Sequence, residues 1–214
     1  MTPDLEQHRE APPPEFLSWL ESVEGGSSAG PQHAFDVLLA EHHLMEGVFR
    51  SMEIEVQSLL DGKSIRSQYW GDVVDFIGNF VHMVHRPKEE ELIFPSVARW
   101  APAAREDISE CTKEHEHAEE LTLGLCDAVE EGDWERVLKV VVLYVDVLRA
   151  HLRREEDHLL RPLRQMLSEK DSARLAVASE DVELQGMGDR GRQHCLSVVR
   201  RICKATELDW PLGG

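Results

Sequence analysis

AFDVLLAEHHLMEGVFRSMEIEVQSL, residues 34–59, is a long helical pattern, and the predicted fold follows from it. Its apolar residues recur at alternating intervals of three and four, which places them on one face of an amphipathic helix. One histidine shares that face, whose members are Phe35, Leu38, His42, Met45, Phe49, Met52, Val56 and Leu59. Asp61-Gly62 ends the helix, because glycine readily takes the left-handed conformation just beyond a helix C-terminus.

The same periodicity continues in three further stretches, residues 67–99, 103–131 and 133–167. Each has one histidine in its apolar stripe, and these are His85, His115 and His151. Pro102 and Gly132 mark the breaks between the stretches. Because short connections join long helices, the sequence predicts an all-α, up-down-up-down antiparallel four-helix bundle over residues 33–167.

The two flanks of this bundle differ in composition. Residues 1–32 are rich in proline, glycine and serine and predict a flexible tail, within which PEFLSWLESV fits either a loosely packed segment or a short docked helix. Residues 168–214 predict a C-terminal helical extension with helices near residues 171–183 and 190–206. The tails would cap the bundle, form a homodimer or contact a protein partner.

Charge and cysteine usage exclude several classes of partner. The formal net charge of −18 argues against nucleic acid and anionic membranes, because both require a basic face. The four cysteines form no C-x-x-C pair and suit reduced thiols. The acidic, proline-bearing N-terminus lacks the apolar core of a signal peptide, and VLKVVVLYVDVLRAHL is too short and charged to span a bilayer. We therefore expect a cytoplasmic protein.

Three of the four histidines in the apolar stripes precede a carboxylate by four residues, in the pairs His85/Glu89, His115/Glu119 and His151/Glu155. This spacing puts both side chains on one helix face, about one turn apart. Counting from the breaks places all four histidines at one level of the bundle. Imidazole and carboxylate donors without thiolate suit iron, manganese or zinc, and seven donors indicate two metals. We expect the other acids around Glu89 and Glu155 to form a solvated face.

Four segments, LLAEHHLMEGVF, HRPKEEELIFP, EHEHAEEL and HLRREEDHLLRPL, resemble in order the ligand-bearing helices of hemerythrin-like (HHE cation-binding) proteins. The resemblance covers more than half of the chain. It implies two non-haem iron ions, bridged by oxo or hydroxo and carboxylate groups, with O2, NO or peroxide as the small ligand. The residues that match the family's ligands are His42, His85, Glu89, His115, His151 and Glu155.

The third helix departs from the family's oxygen carriers, which have a second histidine where this chain has Glu119. Glu119 would ligate metal, orient a histidine or lie at the surface, and a carboxylate there argues against simple reversible oxygen carriage. His82, three residues before His85, would be an extra ligand, a supporting residue or a core residue.

Several functions fit this constellation. We expect binding or sensing of O2 or NO at the metal site, with a di-iron oxidase or peroxidase, or an iron-handling role in storage, ferroxidation or delivery, as the alternative. A ferritin-like carboxylate enzyme ranks lower, because its two E-x-x-H motifs (Glu114/His117 and Glu155/His158) would fall on consecutive helices. The sequence shows no nucleophile or base dyad, so it does not decide whether the protein is an enzyme.

Overall fold

A computed structural model describes residues 12–25, 34–188 and 191–208, and these residues are helical with no strand. Helix α1 is Pro14–Gly25 and α2 is Ala34–Leu60. A continuous helix over 67–100 comprises α3 (Ser67–Phe76), π-helical segments Ile77–His85 and Lys88–Ile93, and α4 (Phe94–Trp100). After a short 3-10 turn (Pro102–Ala104) come α5 (Arg105–Glu131) and a helix over 134–166, built from α6 (Trp134–Arg154), π segment Glu155–Leu160 and α7 (Arg161–Met166). Helices α8 (Glu169–Met187) and α9 (Gly191–Ala205) follow.

The turn between α5 and α6 shows how local sequence sets these boundaries. Gly132 has φ of 68°, a left-handed conformation that ends α5 without a steric penalty. Asp133 then caps α6 by accepting a hydrogen bond from the backbone N–H of Arg136 at 3.1 Å. This tight connection brings α5 and α6 side by side.

Each of the three π-helical segments in the described chain ends two residues before a proline, namely Pro87, Pro95 or Pro162. Proline has no N–H for the carbonyl four residues before it, and its ring clashes with that carbonyl. Hydrogen bonds of i→i+5 type occur instead, as from the N–H of Phe94 to the carbonyl of Glu89. The prolines are thus accommodated by widening the helix, and the widened segments carry candidate metal ligands.

Two apolar clusters lie on either side of the histidines. The smaller cluster contains Phe35, Leu38, Ile93, Phe94, Val97, Cys111, Leu159, Leu160 and Leu163. The larger cluster takes residues from α1, α2, α3, α5, α6 and α9. Along each ligand-bearing helix the histidine falls between residues of one cluster and residues of the other. The histidines therefore occupy a polar layer within an otherwise apolar interior.

Of the two alternatives for PEFLSWLESV within the expected tail, the structure shows the docked helix, α1. Its Phe16 and Trp19 are fully buried in the larger cluster, against α2 and α9. Burial of these two aromatic side chains on one helical face favours docking and opposes the entropy lost when the segment is ordered. The remaining part of the expected tail lies outside the described residues.

The C-terminal helices pack against α2 and the helix over 67–100. The apolar face of α9 enters the larger cluster through Cys195, Leu196, Val198, Val199, Ile202 and Cys203. This packing agrees with one of the roles expected for the extension, which is to cap the bundle. Among the described helices, none combines the length and apolar character needed to cross a membrane.

Candidate metal centre

Six buried side chains from four helices converge in the polar layer. His42 comes from α2, His85 and Glu89 from the helix over 67–100, His115 from α5, and His151 and Glu155 from the helix over 134–166. None of the six exposes more than 6% of its surface. Burying this much ionisable surface is costly unless the groups are paired or hold a cation.

The first group comprises His42, His85, Glu89 and Glu155, and it could hold one metal ion. Nε2 of His85 lies 2.8 Å from Oε1 of Glu89. Nε2 of His42 lies 3.2 Å from Oε2 of Glu155 and 3.6 Å from Oε1 of Glu89. Two imidazoles and two carboxylates thus point into one small volume.

The second group comprises Glu89, His115 and His151, and it could hold another ion. Oε2 of Glu89 lies 3.0 Å from Nε2 of His115 and 3.9 Å from Nε2 of His151. Glu89 therefore turns one oxygen to each group. A carboxylate placed in this way can bridge two metal ions.

An outer carboxylate holds the Nδ1 atom of each of the four histidines. The pairs are His42–Glu156 at 2.9 Å, His85–Glu41 at 2.9 Å, His115–Glu90 at 2.8 Å and His151–Glu114 at 3.2 Å. Carboxylates of this kind fix the ring orientation and tautomer of metal-binding histidines. The expectation that Glu90 and Glu156 lie on a solvated face is therefore wrong, since both are half-buried partners of histidines.

These outer contacts leave the Nε2 atoms facing one another. Since an ionised carboxylate only accepts hydrogen bonds, Nδ1 is the protonated nitrogen in a neutral ring and Nε2 carries a lone pair. The Nε2 atoms of His115 and His151 are nonetheless 3.1 Å apart. When both rings are neutral, two lone pairs face each other here, and a cation between them would be coordinated by both nitrogens.

Unsatisfied polar atoms also indicate that the site holds a cation. Six buried atoms in the first group make no hydrogen bond of acceptable geometry, and they are Nε2 of His42 and His85 and both oxygens of Glu89 and Glu155. Buried polar atoms in native proteins normally have partners. The donor set, all imidazole and carboxylate, fits iron, manganese or zinc. The residues present therefore fit a pair of metal ions.

The electrostatics of the metal-free site reflect this crowding. Burial opposes charge on Glu89, but the neighbouring His85 and the other histidines hold its pKa well below its usual range. Burial likewise opposes protonation of His42, while the nearby carboxylates of Glu155, Glu156 and Glu89 raise its pKa well above its usual value. Burial and the charge of Glu89 raise the pKa of Glu155. In the absence of metal, protons supply the positive charge that the carboxylates require.

The structure does not bring Glu119 to the other six residues. Its side chain is 55% exposed and forms an ion pair with Arg86, with Oε2 2.7 Å from Nη1. His82 also lies outside both groups, where its Nε2 is 3.0 Å from the hydroxyl of Thr122. The ferritin-like interpretation with two E-x-x-H motifs is not supported, because His117 and His158 are both more than half exposed.

Lys88 is a further residue next to the site, and the sequence pattern does not predict its role. It is fully buried, and its ammonium contacts Glu41 and Glu183. Burial opposes its charge, but Glu41 and Glu183 raise its pKa above the usual value. The only sequence signal would have been a lysine next to a predicted ligand.

A family model described as the hemerythrin HHE cation-binding domain matches residues 33–163, which is more than half of the chain. This range contains all six converging residues. Searches of curated proteins and of solved structures found no match.

Proposed function

This chain belongs to the hemerythrin HHE cation-binding domain family, and on that premise we propose that it is a non-haem di-iron protein that binds O2 or NO. One iron would be held by His42, His85, Glu89 and Glu155, and the other by Glu89, His115 and His151. The observation that carries this proposal is the placement of Glu89, whose two oxygens face two separate histidine pairs. When bound, the irons would supply reversible redox chemistry and open positions for a small ligand.

The second group favours a small ligand because it offers few protein donors. Two histidines and one carboxylate leave coordination positions open, and this donor set is the one with which non-haem ferrous iron serves oxygen chemistry. Phe94 stacks on His115, with ring centroids 5.8 Å apart, and Cys111 of the same apolar cluster is fully buried. These buried neighbours limit the access of water to His115, so a small, weakly polar molecule would be a better fit than an ionic substrate.

We also propose that the four ligand-bearing helices form an up-down-up-down bundle. Along α2 and α5 the smaller apolar cluster precedes the histidine, whereas along the helices over 67–100 and 134–166 it follows the ligands. Neighbouring helices would therefore run in opposite directions. The four free cysteines favour a reducing compartment, in keeping with the cytoplasmic location that we propose.

A di-iron oxidase or peroxidase is the second candidate, because a two-histidine, one-carboxylate iron site can activate oxygen as well as bind it. The protein's own residues would then have to supply protons. Glu90 and Glu114, which are partly exposed and hydrogen-bonded to His115 and His151, are placed to connect the second group with solvent.

The test is metal analysis of protein purified without oxygen, combined with optical spectra before and after addition of O2 or NO. We expect two irons per chain and new near-ultraviolet and visible absorption that requires the gas. One zinc per chain with no spectral response would overturn the di-iron proposal. Sustained peroxide consumption by the iron-loaded protein would favour the second candidate over simple binding.

A further inference from the structure

A line of charged side chains runs from the candidate metal centre to the C-terminal helices. Nδ1 of His85 donates to Oε2 of Glu41 at 2.9 Å, and Oε1 of the same carboxylate accepts from the Lys88 ammonium. The ammonium also donates to Oε2 of Glu183 on α8 at 3.0 Å. Glu183 accepts in turn from Nε of Arg192 on α9. Every member of this line therefore contacts the next.

Burial makes the line sensitive to the loss of any member. Lys88 and Glu41 are 0% exposed and Glu183 is 8% exposed. Removing one partner of a buried ion pair leaves an uncompensated charge, which is strongly unfavourable. Without Glu183, Lys88 would retain only the carboxylate of Glu41 as a partner among the ion pairs described for it. We expect Lys88 then to pull Glu41 away from His85.

Close backbone packing holds α8 in place beside the metal centre. A Cβ added at Gly186 would lie 2.3 Å from the carbonyl oxygen of Met83, so the two helices touch through their backbones. Met83 lies in the π segment Ile77–His85, two residues before the candidate ligand. A side chain larger than glycine would push α8, and with it Glu183, away from Lys88.

Helix α8 lies outside the residues that match the family model, 33–163. The support given to His85 therefore comes partly from the region that the family match does not cover. Within the matched region, the outer carboxylates reach their histidines directly. Glu41 is also fixed by the buried lysine, and that lysine depends on the C-terminal helices.

We propose that Glu183 is a positioning residue of the metal centre, acting through Lys88 and Glu41 on His85, so that iron binding and docking of α8 and α9 strengthen each other. This inference rests on the proposed di-iron function. Coupling of this kind is reciprocal: if docked helices favour iron, bound iron favours docked helices. The C-terminal region is then part of the metal site's support and a route by which iron occupancy changes another surface.

The first experiment compares Glu183→Gln with the wild-type protein in anaerobic titrations with ferrous iron. We expect about a 10-fold loss of affinity at one of the two irons, the scale typical for residues that orient metal ligands. In Mössbauer spectra of the 57Fe-loaded variant, only the signal of the iron next to His85 should change. Glu183→Asp should restore part of the affinity, because it keeps the charge.

Asp72→Asn provides a matched control. Asp72 on α3 forms an ion pair with Arg201 on α9, 2.9 Å from its Nη2, and so also ties the C-terminal helices to the bundle. It has no contact with the line from His85. A general effect of loosening the C-terminus would weaken iron binding in both variants, whereas positioning predicts a loss for Glu183→Gln alone. Equal losses would overturn the proposal.

Hydrogen exchange tests the reverse direction of the coupling. Iron loading should slow amide exchange across α8 and α9 in the wild-type protein, and this slowing should be reduced in Glu183→Gln. If the buried substitution prevents folding, Arg192→Gln provides the same test, because it loosens Glu183 and leaves Lys88 paired. A wild-type protein that takes up no iron would overturn the proposed function. Two irons bound equally well by the wild type and the variant, with identical spectra, would overturn the coupling alone.

Discussion

The carboxylate of Glu156 accepts a hydrogen bond at 2.9 Å from Nδ1 of His42, although the two residues are 114 positions apart in the chain. Glu156 follows the candidate ligand Glu155, and it orients a histidine on another helix. The same relationship recurs at Glu90, which follows Glu89 and holds His115. Adjacent residues on one helix therefore play two parts, one facing the metal position and the other steadying a ligand opposite.

Replacing Glu156 by alanine should weaken iron binding about 10-fold, because His42 loses the group that fixes its ring. Anaerobic titration with ferrous iron measures the change. Asp157→Ala is the control, since Asp157 is more than half exposed and pairs only with nearby Arg161 in the described contacts. Undiminished affinity in Glu156→Ala would show that this carboxylate does not steady the ligand.

Glu89→Gln should reduce the iron content from two per chain to one or fewer. The neutral amide keeps the shape of the side chain but cannot bridge two cations with charged oxygens. Metal analysis after anaerobic reconstitution measures the stoichiometry. Glu91→Gln, an exposed neighbour in the same π segment, should retain both irons. Two irons in Glu89→Gln would refute the bridging role.

Glu119→Gln should bind iron as the wild type does, because the side chain is exposed and paired with Arg86 rather than with the converging histidines. We expect at most a small loss of stability, on the order of 0.5 kcal/mol, as for other exposed ion pairs. Metal analysis and thermal unfolding measure both quantities. Loss of one iron in this variant would show that Glu119 is a metal ligand.

Iron affinity should increase as the pH rises above 6.5. Burial opposes protonation of His42 and His151, but neighbouring groups, Glu155 for His42 and Cys111 for His151 foremost, raise both pKa values well above 6.5. Bound iron must therefore displace protons near neutral pH. Calorimetric titration in buffers of different ionisation enthalpy measures that release, and an absence of released protons would contradict the prediction.

The same shifts predict how pH affects the metal-free protein. A folded-state pKa above the unfolded value contributes stability that is fully present below the unfolded pKa and is lost as the pH rises through the folded pKa. Stability from protonated His42 and His151 is thus present below about pH 6.5 and declines above it. Thermal unfolding of metal-free and iron-loaded samples should diverge as the pH rises, the metal-free sample becoming the less stable.

Phe16→Ala should destabilise the protein by about 3 kcal/mol, the usual cost of removing a buried phenyl ring. The ring is fully buried against the bundle, whereas Leu17 on the same helix is 42% exposed. Leu17→Ala therefore serves as the control and should have little effect. Denaturant unfolding measures both, and equal stabilities would show that α1 is not docked in solution.

Helical periodicity predicted the inward faces of the helices well, because side-chain direction in a helix follows from residue spacing. It placed His42, His85, His115 and His151 on inward faces, and the structure buries all four. Helix α1 was harder to predict, since its short apolar pattern lies within a stretch of linker-like composition. Its burial depends on a groove that the sequence alone does not reveal.

Glu119 shows that residue spacing alone does not determine whether a side chain enters the site. Its i,i+4 spacing from His115 predicts the same direction as that of Glu89 and Glu155. Those two glutamates, however, lie in π-helical segments, whereas α5 is α-helical over its full length. Helix type alone does not explain the difference, since the step from His151 to Glu155 is also α-helical, with the N–H of Glu155 donating to the carbonyl of His151; Glu119 lies at the surface, paired with Arg86. The outer carboxylates and Lys88 were missed because their partners are on other helices.

The widened turns also bear on how such a site changes over generations. A π-helical turn takes in about one residue more than an α-helical turn, so a single-residue deletion there would return the helix to ordinary α-helical register. Because the shortened turn would cover the same angle with one residue fewer, the side chains before and after it would keep their relative directions. His85 is the last residue of one widened segment, and Glu89 lies in the next. Loss of one codon within a widened turn would therefore leave the ligands beyond it on their original face, whereas the same loss in an α-helical turn would rotate all later side chains by about 100°.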